Sequence, residues 1–216
     1  MRIDGIIFDL DGTLADTFPV IFRAFREATV EFLGRELSED EIVATFGPSE
    51  VGIIQRLVPD RWEACLAAYL TAYHRAHALC PTPFSGIDAA LSLLRRRGVG
   101  VAVVTGKGPD SAALSLRYLG LLDRLDVVEA GAPEGGIKPR SIARVLDRWR
   151  AAPAHVAYVG DAVSDVHAAR EAGVLALAAG WAPSADAAAL AAAGPHATFR
   201  AVDEFIDWIE RSVDAR

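Results

Sequence analysis

The sequence predicts a doubly wound α/β fold, a Rossmann-like parallel sheet carrying an inserted all-helical domain. Three observations predict it. Short Ile- and Val-rich runs without polar alternation recur along the chain, as in strands covered on both faces. Helical patterns lie between them, three of which close on a glycine placed to cap a helix C-terminus. A long stretch after the first run carries no strand pattern at all.

The apolar runs are Ile6-Ile7-Phe8, Val101 to Val104, Val127-Val128, Val156 to Val159 and Val174 to Leu177. The helical patterns are Ile87 to Arg97 before Gly98, Ser111 to Leu119 before Gly120, Ser141 to Trp149, and Ser164 to Ala172 before Gly173. Ala185 to Ala193 reads as one more plain helix. This alternation builds βαβ units and places helices on both faces of one sheet.

Residues 16–83 break the rhythm and read as consecutive helices, leaving 1–15 and 84–216 for the α/β core. Phe18, Ile21, Phe22, Phe25, Thr29 and Phe32 form a stripe at helical spacing, with Pro19 tolerated in the first turn. Ser38-Glu39-Asp40-Glu41 has the capping-box pattern, and Gly47-Pro48-Ser49 breaks the helix it opens. Trp62, Leu66, Tyr69, Leu70, Tyr73 and His77 mark a last long helix that ends near Cys80-Pro81-Thr82-Pro83. An insert this long is far beyond an ordinary connection. Entering after the first strand, it is expected to hang over the carboxyl ends of the strands as a lid.

Composition narrows the function. The chain has 216 residues, 52% hydrophobic and 24% charged, enough to bury a sizeable core and far from a disordered composition. Its formal charge of −7 disfavours generic attraction to nucleic acid or to an anionic membrane. No apolar run reaches spanning length and no signal-peptide pattern opens the chain, so a cytoplasmic location is expected. Cys65 and Cys80 lack metal-ligand spacing and read as buried reduced thiols. His74 and His77 invite a metal reading, but an exposed helix face is the plainer one. Of the 22 lysine and arginine residues, only Lys107 and Lys138 are lysine. That scarcity marks both as candidates for work needing a compact ammonium.

Four polar clusters follow four apolar runs: Asp9 to Thr17, Thr105-Gly106-Lys107, Lys138-Pro139, and Gly160 to Asp165. In a parallel sheet such strand ends converge on one edge, where ligands bind. Several acids gathered there repel one another unless a cation lies among them. All-oxygen ligands point to a hard ion, and Mg²⁺ suits a site that also takes phosphate.

The expected division of labour follows. Asp9, rigid at a strand end, suits in-line attack on phosphorus and would form an aspartyl phosphate. Asp11, two residues on, faces the cleft again and can serve as acid and then base. Thr105, with nearby backbone N–H groups, would hold a phosphoryl oxygen, and Lys138 would balance charge. Asp161 and Asp165 would complete a metal site with Asp9 and the backbone carbonyl of Asp11. Which of those two touches the ion stays open at this level.

The segments DLDGTLADT, VVTGK, IKP and YVGDAVSD, in this order, resemble the four motifs of the haloacid dehalogenase-like superfamily. The resemblance spans essentially the whole chain, and the helical insert is similar to the cap of its phosphoglycolate phosphatase-like branch. It implies a Mg²⁺-dependent phosphatase with the roles just described. Gly106 departs from the pattern, since many relatives carry asparagine there.

Dehalogenases of that superfamily lack the second aspartate of the first motif, so Asp11 argues against them. Phosphonate-cleaving relatives need a cap lysine, and none occurs between Asp16 and Pro83. The expected substrate is a small phosphorylated metabolite, 2-phosphoglycolate first, with pyrophosphate, sugar phosphates and nucleotide monophosphates as alternatives. Arg23, Arg26 and Arg56 are candidate contacts to a second anionic group, against the commoner fate of solvated helix arginines. Lys107 is expected at the site entrance. A non-catalytic phosphoacceptor or binding domain is the alternative from another class, and the assembly is expected to be a monomer or homodimer.

Overall fold

The computed structural model describes residues 2–214. One six-stranded parallel sheet organises them, with β1 (Gly5–Phe8) and β4 (Val156–Gly160) side by side at its centre. β2 (Gly100–Val104) and β3 (Val127–Glu129) extend it one way, β5 (Leu175–Ala179) and β6 (Ala197–Phe199) the other, in the order β3-β2-β1-β4-β5-β6. In register, Phe8 pairs with Val103 on one side and Val159 on the other. The chain reverses its direction of winding between β1 and β4, and a crevice opens at such a switch point.

The strands alternate between two buried faces, as period-two geometry requires. Ile6, Phe8, Val101, Val103, Ala157 and Val159 face one apolar cluster. Ile7, Ala102, Val104, Val156 and Tyr158 face the other. The first face is covered by α5 (Ile87–Arg96) and α10 (Val202–Ser212), which bring Leu91, Leu94, Phe205 and Ile209. The second is covered by α7 (Lys138–Trp149) and α8 (Val163–Glu171), through Ile142, Val145, Val166 and Ala169. α6 (Pro109–Tyr118) follows β2, and α9 (Ala187–Ala193) precedes β6.

The insert is helical throughout: α1 (Phe18–Leu33), α2 (Glu39–Val43), α3 (Glu50–Leu57) and α4 (Trp62–Ala76). α1 ends on Gly34, whose positive φ of 69° lets its N–H bond back to the Val30 carbonyl. α2 begins at a full capping box, Glu41 N–H donating to Ser38 Oγ and Ser38 N–H to the Glu41 carboxylate. α1 and α4 pack through Ala24, Phe25, Ala28, Tyr69 and Tyr73, with the Phe25 and Tyr69 rings 4.6 Å apart. These insert residues belong to the same apolar cluster as Ile6 and Phe8, so the insert has no separate core.

The loop at 130–137 meets the start of α3. Ser49 N–H donates to the Ala132 carbonyl at 3.0 Å. Gly52 passes so close to Pro133 that a Cβ there would lie 2.0 Å from its carbonyl oxygen. A side chain at 52 would force the insert off the core.

Several expectations need correcting. Lys138 does not end a strand: it is the first residue of α7, after the 130–137 loop. β6 and α10 extend the core beyond the predicted elements. His74 is exposed as expected, but His77 is buried, its Nε2 sharing a 2.9 Å hydrogen bond with Ser115 Oγ and its ring stacked on Tyr118. Cys65 and Cys80 are buried free thiols. Among the described residues no helix is long and apolar enough to cross a membrane.

Candidate active site

Asp9 is the first residue past β1, and its backbone N–H still donates to the Val159 carbonyl at 2.9 Å. That bond continues the ladder and fixes the Asp9 side chain over the β1/β4 crevice. Oδ1 accepts from the Leu10 N–H at 2.8 Å, and Oδ2 accepts from Lys138 Nζ at 2.7 Å.

The chain then turns tightly, with Gly12 N–H donating to the Ala15 carbonyl. Gly12 has φ +74°, and a Cβ there would lie 2.2 Å from Asp161 Oδ2. Glycine is required at 12 on both counts. The turn aims Asp11 back at the cleft, its side chain 17% exposed. Asp11 Oδ1 accepts from the Thr17 hydroxyl and lies 3.2 Å from Lys107 Nζ. Thr13 Oγ1 donates to Asp161 Oδ1 at 2.9 Å.

Asp161 follows β4, and Asp165 lies in the first turn of α8. Asp165 Oδ2 accepts the Ala162 N–H at 3.1 Å, a cap for that helix. Its Oδ1 accepts from Lys138 Nζ at 2.5 Å and from the Tyr158 hydroxyl at 3.2 Å. Lys138 thus bridges Asp9 and Asp165.

Thr105 is the first residue past β2, buried, its Oγ1 accepting the Lys107 N–H at 3.2 Å. Gly106 lines the cleft, and a Cβ built on it would meet nothing within 4 Å. A Cβ is therefore not excluded there, and the departure from the family pattern is not forced by crowding at this position.

Lys107 is not at the entrance. It is 5% exposed, between Asp11 and the Tyr73 ring, whose centre is 4.6 Å from Nζ. Tyr73 in turn shares a 2.8 Å hydrogen bond with Ser115. Arg23 and Arg56 are not brought to the cleft. Arg23 points away from the Phe18–Ile21–Phe25 stripe and pairs with Glu27, and Arg56 is exposed in the last turn of α3. Arg26 pairs with Glu39.

Two ammonium groups among Asp9, Asp11, Asp161 and Asp165 leave negative charge in excess. Burial pushes the Asp9 carboxyl up to about 6; Lys138 opposes this, while Asp165 and Asp11 add to it. Burial likewise takes Asp161 up to about 8, with Asp9 and Asp165 adding to the push. Burial would lower Lys138, but Asp165 and Asp9 hold it well above its ordinary value. For Lys107 burial also opposes the charge, and Asp11 and Tyr73 outweigh it. Carboxylates raised by one another are relieved by a bound cation. Asp9, Asp161 and Asp165 each offer a carboxylate oxygen, all within 4.8 Å of one another. That all-oxygen set fits a hard divalent metal.

Thr13, Thr17, Glu50 and Tyr73 join the site without having been singled out for it. Thr13 and Thr17 lie inside the first motif, where their hydroxyls were the available signal. Glu50 lies in no motif that would have marked it.

Comparison with known proteins agrees with this geometry. The profile of the family described as haloacid dehalogenase-like hydrolase matches residues 6–179. A phosphoglycolate phosphatase of Neisseria meningitidis is 30% identical over 186 residues, covering 81% of this chain and 79% of its own. The pyrophosphatase PpaX of Halalkalibacterium halodurans is 27% identical over 184 residues, covering 84% and 86%. A solved haloacid dehalogenase-like hydrolase from Streptococcus pneumoniae superposes with a TM-score of 0.78 at 25% identity, covering 96% of this chain and 98% of that one. Matched along most of its length, and with the acid and lysine set that the motifs foretell gathered in one crevice, this chain belongs to the haloacid dehalogenase-like hydrolase family.

Proposed function

We propose that this protein is a Mg²⁺-dependent phosphatase that hydrolyses a small phosphomonoester through an aspartyl phosphate on Asp9. The observation that carries the reading is the pair of Asp9, held by Lys138 at 2.7 Å, and Asp11, turned to the same cleft two residues later. A carboxylate at a rigid strand end can attack phosphorus in line, and Asp11 stands where the departing oxygen would need a proton.

In the first step an Asp9 carboxylate oxygen bonds to phosphorus, the ester P–O bond breaks, and Asp11 gives its proton to the leaving alkoxide. In the second, Asp11 takes a proton from water, the water oxygen bonds to phosphorus, and the Asp9–phosphorus bond breaks to release inorganic phosphate. Lys138 offsets charge on Asp9 and on the phosphoryl group, and the Thr105 hydroxyl with the backbone N–H of Gly106 orients phosphoryl oxygens. Asp9, Asp161, Asp165 and the Asp11 backbone carbonyl would hold Mg²⁺, which when bound supplies positive charge against the phosphoryl oxygens. The helical insert serves as the cap that shields the cleft from water.

The names of the relatives make 2-phosphoglycolate and pyrophosphate the first compounds to assay. The test is phosphate release from a panel of small phosphoesters with Mg²⁺ and with EDTA. Metal-dependent release is expected for the native chain, and Asp9→Asn is expected to abolish it while far-UV circular dichroism stays unchanged. Turnover by that variant would remove Asp9 as nucleophile.

A further inference from the structure

We propose that the alcohol portion of the substrate is uncharged and apolar, with an aromatic or branched body, and that the cleft disfavours esters bearing a second anionic group. The inference rests on the phosphatase reading and concerns what surrounds the leaving group.

The cleft above Asp9 has a volume of about 480 Å³, far more than a phosphoryl group needs. The insert lines it with Phe18, Ile21, Phe25, Phe46, Ile53 and Tyr69. Phe46 stays 39% exposed at the mouth, stacked on Phe18 with ring centres 6.3 Å apart and planes 25° from parallel. A large apolar ring left open to water beside a reaction centre is a surface that an apolar group would cover.

The charges point the same way. Among the described residues, the one charged side chain that the insert contributes to the cleft lining is Glu50, an acid. None of the insert's arginines lines the cleft, and the insert has no lysine. Lys138 lies between Asp9 and Asp165, and Lys107 pairs with Asp11 under the further influence of Glu50. His167, exposed at the rim, has Glu171 one helical turn away, also in the lining. A carboxylate or second phosphate on the leaving group would lose its hydration against aromatic walls and meet Glu50 without a free cation. Both 2-phosphoglycolate and pyrophosphate carry such a group.

The test compares kcat/KM with Mg²⁺ for benzyl phosphate, ethyl phosphate, 2-phosphoglycolate and pyrophosphate. Benzyl and ethyl phosphate share an alkoxide leaving group, so their difference reads the apolar contact rather than bond reactivity. Benzyl phosphate is expected to exceed ethyl phosphate by at least about tenfold, with the two compounds that carry a second anionic group below both. In Phe46→Ala the benzyl-to-ethyl ratio is expected to fall several-fold. In Phe46→Arg, tolerated at an exposed site, 2-phosphoglycolate is expected to gain on benzyl phosphate by about tenfold or more. Turnover with 2-phosphoglycolate or pyrophosphate ranked first overturns this inference alone. Absence of Mg²⁺-dependent release from all four compounds overturns it together with the phosphatase reading.

Discussion

Glu50 of the insert and Gly108 of the core are joined by a 2.7 Å hydrogen bond, the Gly108 N–H donating to Glu50 Oε2. Ser111 Oγ donates to the other carboxylate oxygen at 2.8 Å. Gly108 is the N-cap residue of α6 and has no side chain to satisfy that helix end. An acid borrowed from another part of the chain does so, where the helix dipole favours negative charge. Glu50→Ala would leave the Gly108 N–H and the Ser111 hydroxyl buried without it. The expected cost is about 1–3 kcal/mol of folding stability, measured by urea unfolding. An unchanged midpoint would mean the contact is broken as often as made in solution.

Lys138 holds Asp9 and Asp165 with one ammonium group. Lys138→Arg keeps the charge but not the compact geometry, and phosphate release is expected to fall at least about a hundredfold. Lys138→Met leaves two buried acids unpaired and should also lower stability by about 3–5 kcal/mol. Native turnover by the arginine variant would show that charge alone suffices.

Lys107 and Thr17 hold Asp11 by its Oδ1 oxygen, and among the described residues Oδ2 is left without a hydrogen bond. Lys107→Met frees the acid to rotate. A fall in kcat of about 10- to 100-fold is expected, with KM changed far less, because what is lost is alignment rather than binding. An equal rise in KM would instead assign Lys107 to substrate contact.

Asp161 is raised from 3.8 to about 8 and Asp9 to about 6, both chiefly by burial. In the absence of metal the folded state therefore holds protons that the unfolded chain releases near pH 4. The contribution of these two groups to stability is fully present below about pH 4 and is lost as pH rises through about 6 and about 8. The melting temperature in EDTA is expected to drop across pH 5 to about 8.5, and excess Mg²⁺ should flatten the slope. A profile in EDTA that rises over this range would contradict the charge excess in the crevice.

The alternation of apolar runs and glycine-closed helices was readable because each signal is local. β6 escaped because it is three residues long with one buried apolar side chain, Phe199, and so shows no usable period. The acids of the crevice were readable because a parallel sheet brings its strand ends together by topology. Lys138 reached the same place by another route, from a helix start after a loop. Lys107, His77 and Glu50 were misplaced or passed over for a common reason. Their burial is decided by partners far along the chain: Lys107 by Tyr73, His77 by Ser115, Glu50 by Gly108 and Ser111. A single sequence carries no record of such pairings. Arg23 failed as a cleft residue for a helical reason: its neighbours at 21 and 25 hold the inward face.

Both lysines of the chain lie inside the cleft, with side chains 4% and 20% exposed. The outer surface therefore carries arginine in place of lysine and offers no ε-amine. Acylating reagents and lysine acetyltransferases would find no lysine to modify on the outside of the folded protein. An adduct on an ε-amino group would report that the reagent had entered the cleft, which makes lysine acylation a probe of access to it.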